Sequence, residues 1–267
     1  MGWVDTHAHL LDPSFDADRP LVLERARAAG VCRIVEIADE PEGWERALGL
    51  CASLPGRLYC SLGMHPYYAD RWRDGHAQSL RRAAGSPGVV AAGEFGLDYA
   101  RSPVPRETQR RELPRMLAAA QAAGLPVVLH CREAYPDLLS ILREFYRAPA
   151  PPPPARLRGV LHCFSGSTAE AEAAVALGFA IGVDGPVTYP KNDRLRGAIA
   201  AAGLSSIVLE TDSPYLPVQS ERGKRNEPAA VVAIAAAIAK LFNVGSEEVA
   251  RATTTNAQAL YRFSSEG

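Results

Sequence analysis

The sequence predicts an α/β fold, a single (β/α)8 barrel over residues 1–267. Three observations carry this. Short, nearly continuous apolar runs alternate with longer Ala/Leu/Arg/Glu stretches, as expected for parallel strands covered on both faces. Eight strand-then-helix units follow one another, and eight such units need about 240 residues, close to the length of 267. Gly30, Gly85, Gly124, Gly178 and Gly203 each follow a helix-like segment, where a glycine stops a helix. A doubly wound open sheet is the alternative fold, but its glycine-rich dinucleotide turn is missing.

The predicted strands cover 2–6, 32–37, 58–62, 89–93, 126–129, 159–161, 179–183 and 206–209. The helices between them cover 19–29, 42–50, 77–84, 107–123, 137–145, 168–177 and 193–202, and a final helix covers 229–241. Pro114 falls inside the fourth helix, where it predicts a kink or a later start to the regular helix. The segment 148–155 is proline-rich and reads as a stiff surface loop. The longest Ala/Val/Ile run lies in the last predicted helix and is too short to span a bilayer, so no membrane contact is expected.

Composition narrows the function classes. At 47% hydrophobic and 22% charged residues, the chain has the balance of a globular enzyme rather than a disordered segment. A net charge of -1 argues against a broad basic face that grips long nucleic acid. Five cysteines with no C-x-x-C pair point to a reducing compartment, and no basic-then-apolar leader is visible, so a cytoplasmic protein is expected. No feature points to an obligate protein partner.

A parallel barrel gathers its active site at the C-terminal ends of its strands. Metal-type residues fall at many of those ends: Asp5, His7 and His9 at strand one, Glu94 at strand four, His130 at five, His162 at six and Asp212 after eight. One histidine or carboxylate at a strand end is commonly a structural residue or a helix cap. Four histidines with Glu94 and Asp212, converging on one mouth, predict a metal site. Alternation along the first strand lets His7 and His9 face one point. The number of donors exceeds what one tetrahedral catalytic zinc needs. It predicts two divalent ions, His7, His9 and Asp212 on one, His130 and His162 on the other, with Glu94 bridging. Two ions activate a shared water, and Asp212 is the expected general base.

The chain resembles the TatD family of metal-dependent deoxyribonucleases. The matching blocks are Asp5-Thr6-His7-Ala8-His9-Leu10, Gly63-Met64-His65-Pro66, Gly93-Glu94-Phe95-Gly96-Leu97-Asp98-Tyr99 and Pro126-Val127-Val128-Leu129-His130-Cys131-Arg132. They continue with Leu161-His162-Cys163-Phe164-Ser165-Gly166-Ser167, Glu210-Thr211-Asp212-Ser213-Pro214-Tyr215-Leu216, Gly223-Lys224-Arg225-Asn226-Glu227-Pro228 and Thr254-Thr255-Asn256-Ala257. The resemblance implies an amidohydrolase-like TIM barrel, one or more divalent metals, and hydrolysis of DNA phosphodiesters, often from a 3′ end. DNA ends or short single-stranded DNA are then the expected substrate. Carried over residue by residue, the metal positions are His7, His9, Glu94, His130, His162 and Asp212. Imidazole donors favour zinc or manganese, and the resemblance points to magnesium. Cys131 and Asp184-Gly185-Pro186 depart from the family's usual residues.

Other positions have two readings. His65 is either a donor to a substrate phosphate or a packed loop residue. Lys224 and Arg225 either position a phosphodiester or form a solvated charge pair. Ser165 and Gly166 either offer N–H groups to a phosphate or make a plain turn with a capping serine. Asp98 orients a ligand or His65, or caps a segment. Arg132 pairs with a phosphate or supports Glu94. Tyr67 and Tyr68 stack on a base or are rim aromatics. Cys131 and Cys163 are expected to point away from the site, and His76 reads as a helix-start residue. Two other functions compete with the nuclease: a barrel hydrolase acting on a small phosphoester or another ester, and a non-catalytic metal-binding protein.

Overall fold

The computed structural model describes residues 2–147 and 157–263. The strands are β1 (Trp3–Ala8), β2 (Val31–Ala38), β3 (Leu58–Leu62), β4 (Val89–Asp98), β5 (Val127–Arg132), β6 (Gly159–Leu161), β7 (Phe179–Val183) and β8 (Ile207–Leu209). They form one parallel sheet in sequence order. The sheet closes into a barrel where Ala8 bridges Ser213 in parallel. There the His9 N–H donates to the Ser213 carbonyl at 2.8 Å, and the Asp212 N–H to the His7 carbonyl at 2.9 Å. Closing the barrel is therefore what brings Asp212 beside His7 and His9.

The helices are α1 (Arg19–Ala28), α2 (Trp44–Ser53), α3 (Asp74–Ala83), α4 (Arg106–Ala122), α5 (Tyr135–Phe145), α6 (Thr168–Ala176), α7 (Asp193–Ala202), α8 (Val231–Phe242) and α9 (Ser246–Tyr261). Helix α4 runs through Pro114, giving up only the backbone bond that the proline nitrogen cannot donate. The proline-rich segment 148–155 lies outside the described residues. Among the described residues no single helix is long and apolar enough to cross a membrane.

Two apolar layers hold the fold. The larger lies between the strands and the surrounding helices, with Phe95, Leu97, Leu113, Phe164 and Phe179 fully buried in it. The second fills the barrel with Val4, Val35, Tyr59, Val128, Val160 and Val208, and is closed by Leu260, Tyr261 and Phe263. Helix α9 supplies Leu260 and Tyr261, and the strand-and-helix pattern did not anticipate it. It is tied to the N-terminal ends of β1 and β8: Asn256 Nδ2 donates to the Leu204 and Ile207 carbonyls, and Thr254 Oγ1 to the Gly2 carbonyl. The Tyr261 hydroxyl reaches the Thr6 carbonyl inside the barrel at 3.1 Å. The barrel is thus plugged at one end, and the polar cluster occupies the other.

Candidate metal centre

Three strands run further than their apolar residues suggest, and the extensions carry the cluster. β1 extends to Ala8, so His7 is a strand residue and His9 follows it. β5 extends through His130 to Arg132. β4 extends from the expected end at Gly93 to Asp98, with Glu94 inside it. Gly96 makes that extension possible. Its φ is +144°, and an added Cβ would collide with the His130 carbonyl oxygen of the neighbouring strand. Only glycine tolerates that backbone and that approach.

The six residues expected at the mouth are brought together. His7, His9 and Asp212 form one group, with His9 Nε2 3.3 Å and His7 Nε2 3.5 Å from Asp212 Oδ1. His130 Nδ1 and His162 Nε2 lie 2.9 and 2.7 Å from Glu94 Oε1. The other Glu94 oxygen, Oε2, lies 3.3 Å from His7 Nε2. Glu94 therefore turns one oxygen to each set of histidines.

The electrostatics are those of a cation site. Burial raises the Glu94 carboxyl, but His162, His130 and His7 around it outweigh burial and hold it well below the usual carboxylate range. Asp212 is likewise lowered against burial by His9 and His7. Burial and the neighbouring His162 push His7 down to about 4. Burial opposes the charge of His9, yet Asp212 lifts it to about 10. Ring nitrogens also face one another, His7 Nε2 to His9 Nε2 at 3.3 Å and His130 Nδ1 to His162 Nε2 at 3.2 Å. His7 Nδ1 and His162 Nδ1 are buried with no hydrogen-bond partner. Ring nitrogens crowded against one another and against carboxylates kept ionised fit divalent cations, which would take the place of the protons on these rings.

His65 belongs to this centre rather than to its rim. Its Nε2 lies 3.6 Å from Glu94 Oε1, and its Nδ1 accepts the Tyr67 N–H at 3.2 Å. Asp98 acts on His130, not on His65: its Oδ2 is 3.1 Å from His130 Nε2. A cavity of about 1100 Å3 opens above the cluster, with Arg132 and Ser165 in its lining. The Ser165 N–H is taken by the Tyr135 hydroxyl at 2.9 Å, so it is not free to meet a phosphate. The capping serine is Ser167, in a capping box with Glu170.

Lys224 and Arg225 are not in the cavity lining, and neighbouring carboxylates pair with them. Arg225 donates to both oxygens of Asp18 at 2.7 and 2.8 Å and to Glu227 at 2.9 Å. Lys224 pairs with Glu221 at 2.6 Å on the exposed surface. Cys163 also departs from expectation. It has φ +46°, which turns its Sγ toward Asp184 at 2.9 Å, and it joins the cavity lining. Cys131 is buried but likewise joins the cavity lining, whereas His76 accepts the Arg73 N–H at the start of α3, as expected. Sequence reasoning missed Arg46, Arg101 and Tyr215 in the cavity lining, and the buried Glu36 and Glu210. Glu36 accepts the Leu10 N–H, and Glu210 accepts the Cys163 N–H, each at 2.5 Å. The run Glu210-Thr211-Asp212 was the one available signal for Glu210; Glu36 lies inside β2 and Arg46 on α2, and Arg101 and Tyr215 depend on loop conformation.

Comparison with known proteins identifies the family. A family model described as "TatD related DNase" matches residues 4–262. The metal-dependent hydrolase YjjV of Escherichia coli K12 is 35% identical over 261 residues, covering 97% of each chain. The protein named 3′-5′ ssDNA/RNA exonuclease TatD of Pantoea vagans is 33% identical over 264 residues, covering 97% of this chain and 99% of that one. The crystal structure of Escherichia coli YjjV superposes with a TM-score of 0.87 at 34% identity, covering 97% of this chain and 98% of that one. Divalent-metal binding follows from these relatives and the clustered imidazoles and carboxylates together. By its full-length match and its barrel, the chain belongs to the TatD family of metal-dependent hydrolases.

Proposed function

We propose that the protein is a two-metal deoxyribonuclease that shortens DNA from the 3′ end. The observation that carries this is the divided orientation of Glu94, with Oε2 toward His7 and Oε1 toward His130 and His162. His7, His9 and Asp212 would hold one ion, His130 and His162 the other, with Glu94 between them. When bound, divalent ions acidify the attacking water and neutralise the charge of the phosphodiester. The imidazole-rich donors favour zinc or manganese over magnesium.

The chain's own groups divide the remaining work. Asp212 takes the proton of the attacking water, as a carboxylate kept ionised by His9 and His7. His65 accepts the Tyr67 N–H on Nδ1, so its neutral ring carries the proton on Nε2 and offers a hydrogen bond from there to a phosphate oxygen. Asp98 fixes the ring of His130. Arg132 and Arg101, both in the cavity lining, bind phosphates further along the strand. The cavity of about 1100 Å3 exceeds the usual small-ligand range and suits more than one nucleotide. The 3′ direction is supported by the name of the Pantoea vagans relative.

The test combines metal analysis with turnover. The loaded protein should carry two ions per chain and shorten single-stranded DNA from its 3′ end, and a chelator should abolish both. Hydrolysis of a small phosphodiester with DNA left intact would replace this reading with a small-ester hydrolase. Full metal content with no hydrolysis at all would reduce the centre to a binding site.

A further inference from the structure

Tyr215 is the most conspicuous residue beside the centre without a role in it. It is 51% exposed, an unusual state for a large aromatic ring, and it sits in the cavity lining. Its ring centroid is 5.8 Å from that of His9. Despite its exposure it is held at three points. Its hydroxyl donates to Asp12 Oδ2 at 2.9 Å, its N–H to the Asp212 carbonyl at 2.8 Å, and its carbonyl accepts Asn226 Nδ2 at 2.7 Å.

The loop that carries Tyr215 is fastened as well. Asp212 and Leu216 on either side have φ of +53° and +48°. Asn226 also holds the Thr211 carbonyl at 2.8 Å. Arg225 ties the loop to the turn before α1 through Asp18, and stacks over Phe15 at 4.6 Å. Asp12, Phe15 and Asp18 all belong to that turn, so the connections after β1 and β8 form one wall. Fixing a side chain costs conformational entropy, and exposed apolar area gains nothing from water. An aromatic ring fixed and left bare next to a reaction centre is set up to meet a flat partner.

We infer that Tyr215 is a nucleobase-stacking platform, taking the base of the nucleotide next to the scissile phosphate. This rests on the deoxyribonuclease reading. Stacking on a phenol is tolerant of base identity, because every base has a π face. It requires a base that is unpaired, so the platform selects single-stranded or frayed ends. It also explains the otherwise idle captures of Arg225 and Asn226: they hold the wall that presents the ring.

The experiment uses the metal-loaded full chain with Tyr215→Ala and Tyr215→Trp. Substrates are single-stranded oligonucleotides, intact or carrying an abasic residue at the terminal or penultimate 3′ position. On intact DNA Tyr215→Ala should raise KM by about 5- to 150-fold, the equivalent of the roughly 1–3 kcal/mol of one stacked base, with kcat little changed. Tyr215→Trp should restore KM, and the abasic substrate should erase the difference between wild type and Tyr215→Ala. An equal penalty on intact and abasic DNA, or a Trp variant as poor as the Ala variant, overturns the inference. Equilibrium binding of the same oligonucleotides by fluorescence anisotropy separates it from the parent reading. Should wild type bind intact ends more tightly than abasic ends yet cleave neither, the platform stands and the nuclease reading fails. Should it cleave DNA with no preference between them, the platform fails alone.

Discussion

Asp98 faces His130 across 3.1 Å, Oδ2 to Nε2, and this contact decides which ring nitrogen meets Glu94. Asp98 is itself immobilised: its Oδ1 accepts the N–H groups of Ala100 and Arg101 at 2.9 and 2.7 Å. Gln109 brackets its backbone, accepting the Asp98 N–H at 2.8 Å and donating to the Asp98 carbonyl at 3.0 Å. With Nε2 engaged, Nδ1 is turned to Glu94 and His162. A carboxylate behind a ligand histidine fixes the ring and its tautomer.

The consequence is selective. Asp98→Ala should weaken binding of the ion assigned to His130 and His162 by about 10–100-fold, while the ion at His7, His9 and Asp212 is retained. Titration calorimetry with manganese should show one tight site and one weakened site. Asp98→Asn keeps an acceptor for Nε2 and should recover most of the affinity. Equal weakening of both sites would show that Asp98 does not act through His130.

Glu94 is the shared element, so its loss should not be selective. Glu94→Ala is expected to lower metal content and turnover together, the latter by more than about 100-fold, beyond what an outer carboxylate contributes. Elemental analysis of the purified variant beside its rate on single-stranded DNA checks this. Normal turnover in Glu94→Ala would remove the bridging assignment.

The parts of this site that were legible in the sequence are those fixed by strand order. His7, His9, Glu94, His130 and His162 lie on strands or immediately after them, so reading the strands correctly was enough to converge them. The extension of β4 to Asp98 was not legible, because its glycines and carboxylates look like loop until a neighbouring carbonyl is seen to need Gly96. Tyr215, Arg101 and the capture of Arg225 depend on loop conformation and on partners more than 200 residues away in sequence, such as Asp18 for Arg225. Helix α9 escaped because its buried face includes Thr253 and Asn256, which break the apolar period.

Gly96 gives a stability test of that strand extension. Gly96→Ala must hold φ +144° and push its Cβ into the His130 carbonyl, backbone that cannot swing aside. The cost should be about 3 kcal/mol or more, at the upper end for overpacking, with metal affinity falling as His130 shifts. Chemical denaturation of the metal-free variant reads the first, and metal titration the second. An unchanged denaturation midpoint would mean that β4 does not approach β5 in this way.

The wall behind Tyr215 should reveal itself in acid. Arg225 and Arg25 beside Asp18 hold its carboxyl at about 2, against an ordinary value of 3.8. The native state thus binds this proton less readily than the unfolded chain. The stabilisation is fully present above the ordinary value and drains as pH falls through it toward about 2. Glu227, lowered by Arg25 and Arg225 against its partial burial, acts in the same direction. Asp18→Asn should therefore be less stable than wild type by a constant amount above pH ~5, and the gap should narrow as both are taken toward pH ~3. Because these pairs keep part of their surface in solvent, added salt should shrink the gap at every pH. Urea midpoints of the two proteins across this range, at low and high salt, make the comparison. A gap that stays constant down to acid would mean that Asp18 carries no titrating ion pair, and the joined wall would then have to rest on the hydrogen bonds of Asn226 and Tyr215.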